Sequence, residues 1–332
     1  MPAHRAVLPD DLATHPFTWA AGTSRGLRTS TFRSTAVRRI APGVYQSTGA
    51  DQPALKDVVA AHLATMPDDL LVDGLTALQL YGVDLGPRTP LRFCSPNGRD
   101  VRRRGVRVRR LSRTPAAQGR VLEPAAAFAS AAMDLDLVEL VVAGDCLVRL
   151  KRTTPAALQE HVGDLTGRHC ATVRRAAGLV RDRVDSPPES RLRLCLVLAG
   201  LPEPVRNVDL SDDDFFIATP DLAYLVYRLL LENEGDHHRT DRAQWQKDIR
   251  RERQLRKAGF ELQRITAETR RRPRELVQDI HALLVKGGSD GPAPVFTPEW
   301  ITCFEASRSS GRSSWSSSSR TPRESPTRHQ AS

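Results

Sequence analysis

The feature that most constrains this chain is an apolar run, Leu222-Ala-Tyr-Leu-Val-Tyr-Arg-Leu-Leu-Leu231, with acids at both ends. Pro220-Asp221 precedes it, and Glu232-Asn-Glu234-Gly-Asp236-His237-His238 follows. The run reads as a buried strand. A strand end cannot cheaply bury unpaired carboxylates, so such acids stay solvated, pair with a base or hold a cation. Oxygen ligands of this kind suit Mg²⁺, which takes few carboxylates and keeps several waters. The arrangement points to metal-dependent cleavage of phosphodiesters, with Asp221 and Glu232 as metal ligands and Mg²⁺ or Mn²⁺ as the cofactor. Glu234 lies two residues beyond Glu232 and faces the same way. Glu189, on a helix opening the same region, completes the set of acids. His238 is placed to orient a water or carry a proton. Arg251 and Arg253, on the following helix, are in reach of phosphate. Taken singly, each acid also fits a plain structural role, Glu189 as a first-turn helix acid above all.

The chain has 332 residues, 40% hydrophobic and 27% charged, which suffices for two domains with their own cores. Its net charge of +10 favours a polyanionic partner, although arginine-rich composition alone produces the same balance. Five cysteines, Cys94, Cys146, Cys170, Cys195 and Cys303, are scattered and never spaced as a pair. Neither a zinc site nor a disulfide framework is expected, and a reducing compartment fits. No apolar run is long enough to span a bilayer, and Met1–Asp11 lacks an apolar signal core, so the expected location is cytoplasmic.

Four stretches follow from pattern and punctuation. Residues 1–52 read as a small helical unit ending in a strand–turn–strand, Val37–Ile40, Ala41-Pro-Gly43 and Val44–Gln46, the layout of a winged helix. Here Gly22-Thr23-Ser24 reads as a turn, and a helix is expected from there towards Phe32. Residues 53–182 read as a mixed α+β domain. Its helices are expected over Leu55–Ala64, Leu70–Gly82, Glu123–Met133, Leu137–Leu150, Pro155–Val162 and Cys170–Val180, with strands at Leu91–Cys94 and Val106–Leu111. The Asp182–Pro188 stretch reads as a link between domains. Residues 183–288 read as an α/β unit, a mixed sheet flanked by helices, with strands near Val205–Leu210, Phe215–Ile217, Tyr224–Glu232 and Phe260–Ile265. Residues 289–332 read as a Ser/Arg/Pro-rich tail expected to be disordered, with that composition strongest from Ser307 onward.

Residues 186–286 resemble a known family. Glu189-Ser-Arg-Leu-Arg193, Leu201-Pro202, Asp221-Leu-Ala, Glu232-x-Glu234-Gly-Asp-His-His-Arg239, Asp248-x-x-Arg251, Leu255, Gly259 and Arg264-Ile-Thr266 carry the likeness. It is the domain-of-unknown-function family related to very-short-patch-repair endonucleases, within the PD-(D/E)xK nuclease superfamily. The resemblance implies a restriction-endonuclease-like mixed sheet and a metal-dependent DNA endonuclease site. Two departures stand out. Relatives carry an aromatic-Asp-Gly where this chain has Asn233-Glu-Gly235, and the superfamily's lysine position holds Glu234, so the implied fold is firmer than the implied activity.

Residues 8–180 are similar, through Gly43-Val-Tyr45, Ala77-Leu-x-Leu-Tyr-Gly82 and an arginine-rich hairpin, to AbiEi-type antitoxins, winged-helix regulators of toxin–antitoxin modules. That likeness implies DNA binding and a partner toxin. It also sets up a second function, a non-catalytic repressor whose nuclease-like part only grips DNA. Val101–Arg113 holds seven arginines and no acid: Arg102, Arg103, Arg104, Arg107, Arg109, Arg110 and Arg113. The run is either a solvated face or a phosphate-binding strip. Aromatics are only 5% of the chain, so duplex DNA is expected before a stacked single strand.

Overall fold

The computed structural model describes residues 8–111, 113–212, 215–234 and 242–306. Among the described residues the protein is mixed α/β, with fourteen α-helices and four mixed or antiparallel sheets, none closed into a barrel. No helix there is long and apolar enough to cross a membrane. The chain divides into two compact units, one of residues 1–135 and 150–178, the other of 136–149 and 179–332. The boundaries at 52, 182 and 288 expected above follow chain order, whereas this division is spatial and gives the helix Leu137–Arg149 to the second unit.

In the first unit, three antiparallel strands run in the order Phe17–Thr18, Val44–Ser47, Val37–Ala41. Gly43, at φ +75°, makes the tight turn between the last two. Leu12, Phe17, Phe32 and Val37 form the core beneath them, and Trp19 stacks on Phe32 at 4.1 Å. The Gly22-Thr-Ser24 stretch, expected as a turn, is helical within Trp19–Ser24, capped by Thr18 Oγ1 accepting from the Ala21 amide at 3.1 Å. Gly22 suits that helix because a Cβ there would sit 2.6 Å from the Phe32 ring. Only the single turn Thr29–Phe32 follows.

The five-stranded sheet of this unit runs Val106–Arg110, Leu91–Ser95, Leu71–Val72, Val121–Leu122, Ala117–Gln118. Two expectations change here. Leu70–Gly82 is not one helix. Leu71–Val72 is a strand, Asp73 caps by accepting from the Gly74 amide at 2.8 Å, and the helix is Gly74–Leu80. The arginine-rich strand is not half of a hairpin, because Val106–Arg110 pairs parallel to Leu91–Ser95. The helices Leu55–Leu63, Pro124–Ala131, Pro155–Gly163 and Cys170–Leu179 lie where their apolar periodicity puts them.

In the second unit, Leu137–Arg149 packs on the helix Pro187–Val197. Charge as well as apolar surface joins them. Arg191 grips Glu139 bidentately at 2.8 Å, and Ser190 donates to Asp145 at 2.7 Å. The fully buried Arg193 meets Asp145 at 3.3 Å, Glu203 at 2.8 Å and the Leu179 carbonyl at 2.8 Å. The sheet runs Glu261–Ile265, Leu229–Asn233, Leu222–Tyr224, Val205–Arg206, with its first two strands parallel and the rest antiparallel. Ala223 and Leu230 on one face pack with Leu255 of the helix Arg242–Lys257. Leu222, Tyr224, Leu229 and Leu231, of opposite parity, are buried on the other. The stretch expected as a link is bound into this unit, since Arg206 and Asn207 donate to the Asp182 and Arg183 carbonyls. The tail expected to be disordered from 289 is built in as far as Phe304, because Trp300 and Phe304 are buried. Pro298–Phe304 is a helix whose Trp300 is fully buried, its indole N–H donating to the Cys195 carbonyl at 2.9 Å. Residues 307–332 lie outside the described residues.

Candidate active site

The apolar run that opened the sequence reading is a hairpin, not one strand. Leu222–Tyr224 leads into a turn at Leu225–Tyr227, Arg228 takes the left-handed conformation at φ +54°, and Leu229–Asn233 returns. Leu222 pairs with Leu231 and Tyr224 with Leu229. Asp221 and Glu232, each one residue beyond the Leu222–Leu231 pair, therefore finish at the same end of the sheet. Their proximity comes from the hairpin rather than from the two ends of a strand.

Asp221 is buried and held in place. Its Oδ2 accepts the Asn233 amide at 2.8 Å, and its carbonyl accepts the Asn207 amide at 3.1 Å. Asn207 also donates from Nδ2 to Glu189 Oε2 at 2.9 Å. Glu189 sits in the first turn of Pro187–Val197, where Pro187 occupies the first helical position and Ser186 is the cap. Its carboxylate accepts from Ser186 Oγ at 2.8 Å and from the Asp185 amide at 2.9 Å. Burial, then the charge of Asp221, raise the Glu189 carboxyl to about 7, against the pull of those hydrogen bonds.

Glu232 and Glu234 meet a different set of groups. Arg251 of the Arg242–Lys257 helix makes an ion pair with Glu232. Arg264, directly opposite Glu232 on the parallel strand, lies 3.7 Å from Glu234 and 3.0 Å from Glu252. The Glu234 amide donates to the Ile265 carbonyl at 2.9 Å, and buried Arg270 donates to both the Ile265 and Glu234 carbonyls. Arg251, expected to reach phosphate, is thus turned onto the expected metal ligand. His238 lies outside the described residues. Among the described residues no three or more His, Cys, Asp or Glu side chains gather as a metal cluster. Mg²⁺ needs no such cluster, because one or two carboxylates plus water and substrate phosphate can hold it.

The arginine strip divides by role. Arg103 donates to Thr65 Oγ1 at 2.6 Å and to its carbonyl at 2.8 Å. Arg109 binds Asp73 at 3.0 Å and Ser130 at 2.8 Å. Held by those bonds, these two brace the first unit and are not a free phosphate strip. Arg102, Arg104, Arg107 and Arg110 are exposed, with Arg102 and Arg110 answered by Asp100 and Arg107 3.8 Å from Asp134. Sequence reasoning missed Asn207 as the bridge between the acids, and Glu252. The one signal for Asn207 was its residue type, since asparagine tolerates the left-handed φ of +41° found there. Comparison with family models, with curated proteins and with solved structures finds no match to this chain.

Proposed function

We propose that the chain is a DNA-binding protein that hydrolyses DNA phosphodiesters with Mg²⁺ or Mn²⁺, its second unit being a PD-(D/E)xK-type endonuclease domain of the very-short-patch-repair-like kind. The observation that carries this reading is the hairpin register, which sets Pro220-Asp221 beside Glu232-x-Glu234 at one sheet end. Asp221 and Glu232 would hold the metal, with Glu189 tied to Asp221 through Asn207. A bound divalent cation would lower the pKa of its water and offset the charge developing on phosphate. Asn207 and the Asn233 amide fix Glu189 and Asp221, so that little reorganisation is needed at that side of the site. The first unit, read as winged-helix-like and antitoxin-like, would grip duplex DNA through its exposed arginines. A plasmid nicking assay with Mg²⁺ or Mn²⁺ tests the proposal. Glu232→Gln keeps shape but removes the charge, so it should abolish nicking while largely sparing duplex binding measured without divalent metal.

A second reading has its own support. The Arg251–Glu232 ion pair and the acid at 234 favour a non-catalytic antitoxin-like regulator acting with a toxin. Retained duplex binding, with no nicking of double- or single-stranded substrates in either metal, would establish that reading in place of the first.

A further inference from the structure

Glu234 stands where the signature resembled above has a lysine, and a carboxylate cannot stabilise a developing phosphate charge. Cations reach that edge from elsewhere in the fold. Arg251 arrives from the helix Arg242–Lys257 and ends on Glu232. Arg264 arrives from the neighbouring parallel strand, in register with Glu232, and spans Glu234 and Glu252. Both side chains keep about a third of their surface in solvent, at 34% and 31%, so a ligand can reach them. They are anchored from a helix and a strand, the rigid elements that hold a functional group in place better than loops do.

We infer that Arg251 and Arg264 together bind a non-bridging phosphate oxygen of DNA at the Glu232–Glu234 edge, supplying the positive charge that residue 234 lacks. The inference rests on the phosphodiester reading and deepens it. Guanidinium suits the task, because its planar fork matches phosphate bidentately. With no divalent cation, the acids of this edge absorb the two arginines and repel phosphate. A cation on Asp221 and Glu232 would offset that negative charge, loosening Arg251 from Glu232 and making the edge around Arg264 less repulsive to the incoming anion. DNA affinity at this site is therefore coupled to metal.

The experiment uses the full chain and a fluorescent duplex oligonucleotide, titrated by anisotropy in EDTA and in Ca²⁺, an oxygen-seeking cation. Nicking in Mg²⁺ is followed in parallel, and thermal melts check that each variant is folded. Wild type should bind more tightly in Ca²⁺. Arg251→Ala and Arg264→Gln should each cut that gain by about tenfold or more, as expected for hydrogen bonds to a charged group. Arg251→Lys and Arg264→Lys should keep part of it. If wild type cuts, both truncating variants should also slow nicking by about 10²–10³-fold. If wild type cuts nothing yet the gain is lost in the variants, phosphate binding stands and hydrolysis falls. An absent gain in wild type, or one unchanged or enlarged in Arg251→Ala and Arg264→Gln, overturns the inference and leaves the arginines as plain partners of the acids.

Discussion

Arg193 is a charge with no exposed surface, and it shows how this chain tolerates polarity inside. Its guanidinium is answered by Asp145, Glu203 and the Leu179 carbonyl. Burial raises the Asp145 carboxyl, and Arg193 pulls it back. Breaking such a pair from one side typically costs about 3–5 kcal/mol, whereas apolar replacement of both sides is often neutral. Asp145→Ala should therefore destabilise by about 3–5 kcal/mol in urea unfolding, and Asp145→Leu combined with Arg193→Met by clearly less. Equal losses in both would mean that apolar packing at the site outweighs the ion pair. Glu189 makes a prediction in pH. Its carboxyl rises from 4.5 to about 7 in the folded chain. Between those values the native state keeps a proton that the unfolded chain has lost, so stability falls as pH rises through the window and is level above it. Asp221→Asn removes the second cause of the shift. Urea midpoints measured across the window should then fall less steeply and flatten at lower pH. An unchanged profile would show that the Asp221 charge does not act on Glu189.

At the scale of elements, what could be read from the sequence followed periodicity. The helices Leu137–Arg149, Pro155–Gly163 and Cys170–Leu179 carry apolar stripes and lie within a residue or so of the expected bounds. The hairpin was hidden because both its strands are buried on both faces. Leu222–Leu231 shows no alternation, and its turn, Leu225-Val-Tyr-Arg228, has no Gly, Pro or Asn to announce it. Asp221 and Glu232 thus reach one sheet end by a turn that the sequence does not announce. The last helix was hidden differently. Pro298–Phe304 follows a loop with two prolines, Pro292 and Pro294, and its only signal was Thr297 as cap with Pro298 in the first turn. Trp300 is wedged between Phe296 at 4.6 Å and Phe304 at 5.3 Å and bonds to the helix that carries Glu189. Trp300→Ala should cost about 3–5 kcal/mol, seen as a lowered urea midpoint. A loss below about 1 kcal/mol would mean that this helix is not part of the core that supports the site.

For the whole molecule, the decisive fact is that neither unit is continuous in sequence. The chain leaves the first unit at 135, lends Leu137–Arg149 to the second, returns for 150–178 and leaves again. A piece cut at the apparent link, 183–306, lacks the helix that satisfies Arg191 and Arg193. It should unfold at lower urea than a piece spanning 136–306, and equal midpoints would show that the helix adds no stability. The same threading sets an order on synthesis. A ribosome adds roughly 5–20 residues per second, and about 40 residues separate Arg149 from Arg193. For some seconds the nascent helix therefore carries Glu139 and Asp145 before their arginines exist, beside an apolar face with nothing to cover it. A chaperone meeting this chain during translation would find its most exposed client segment in the middle, not at the growing end.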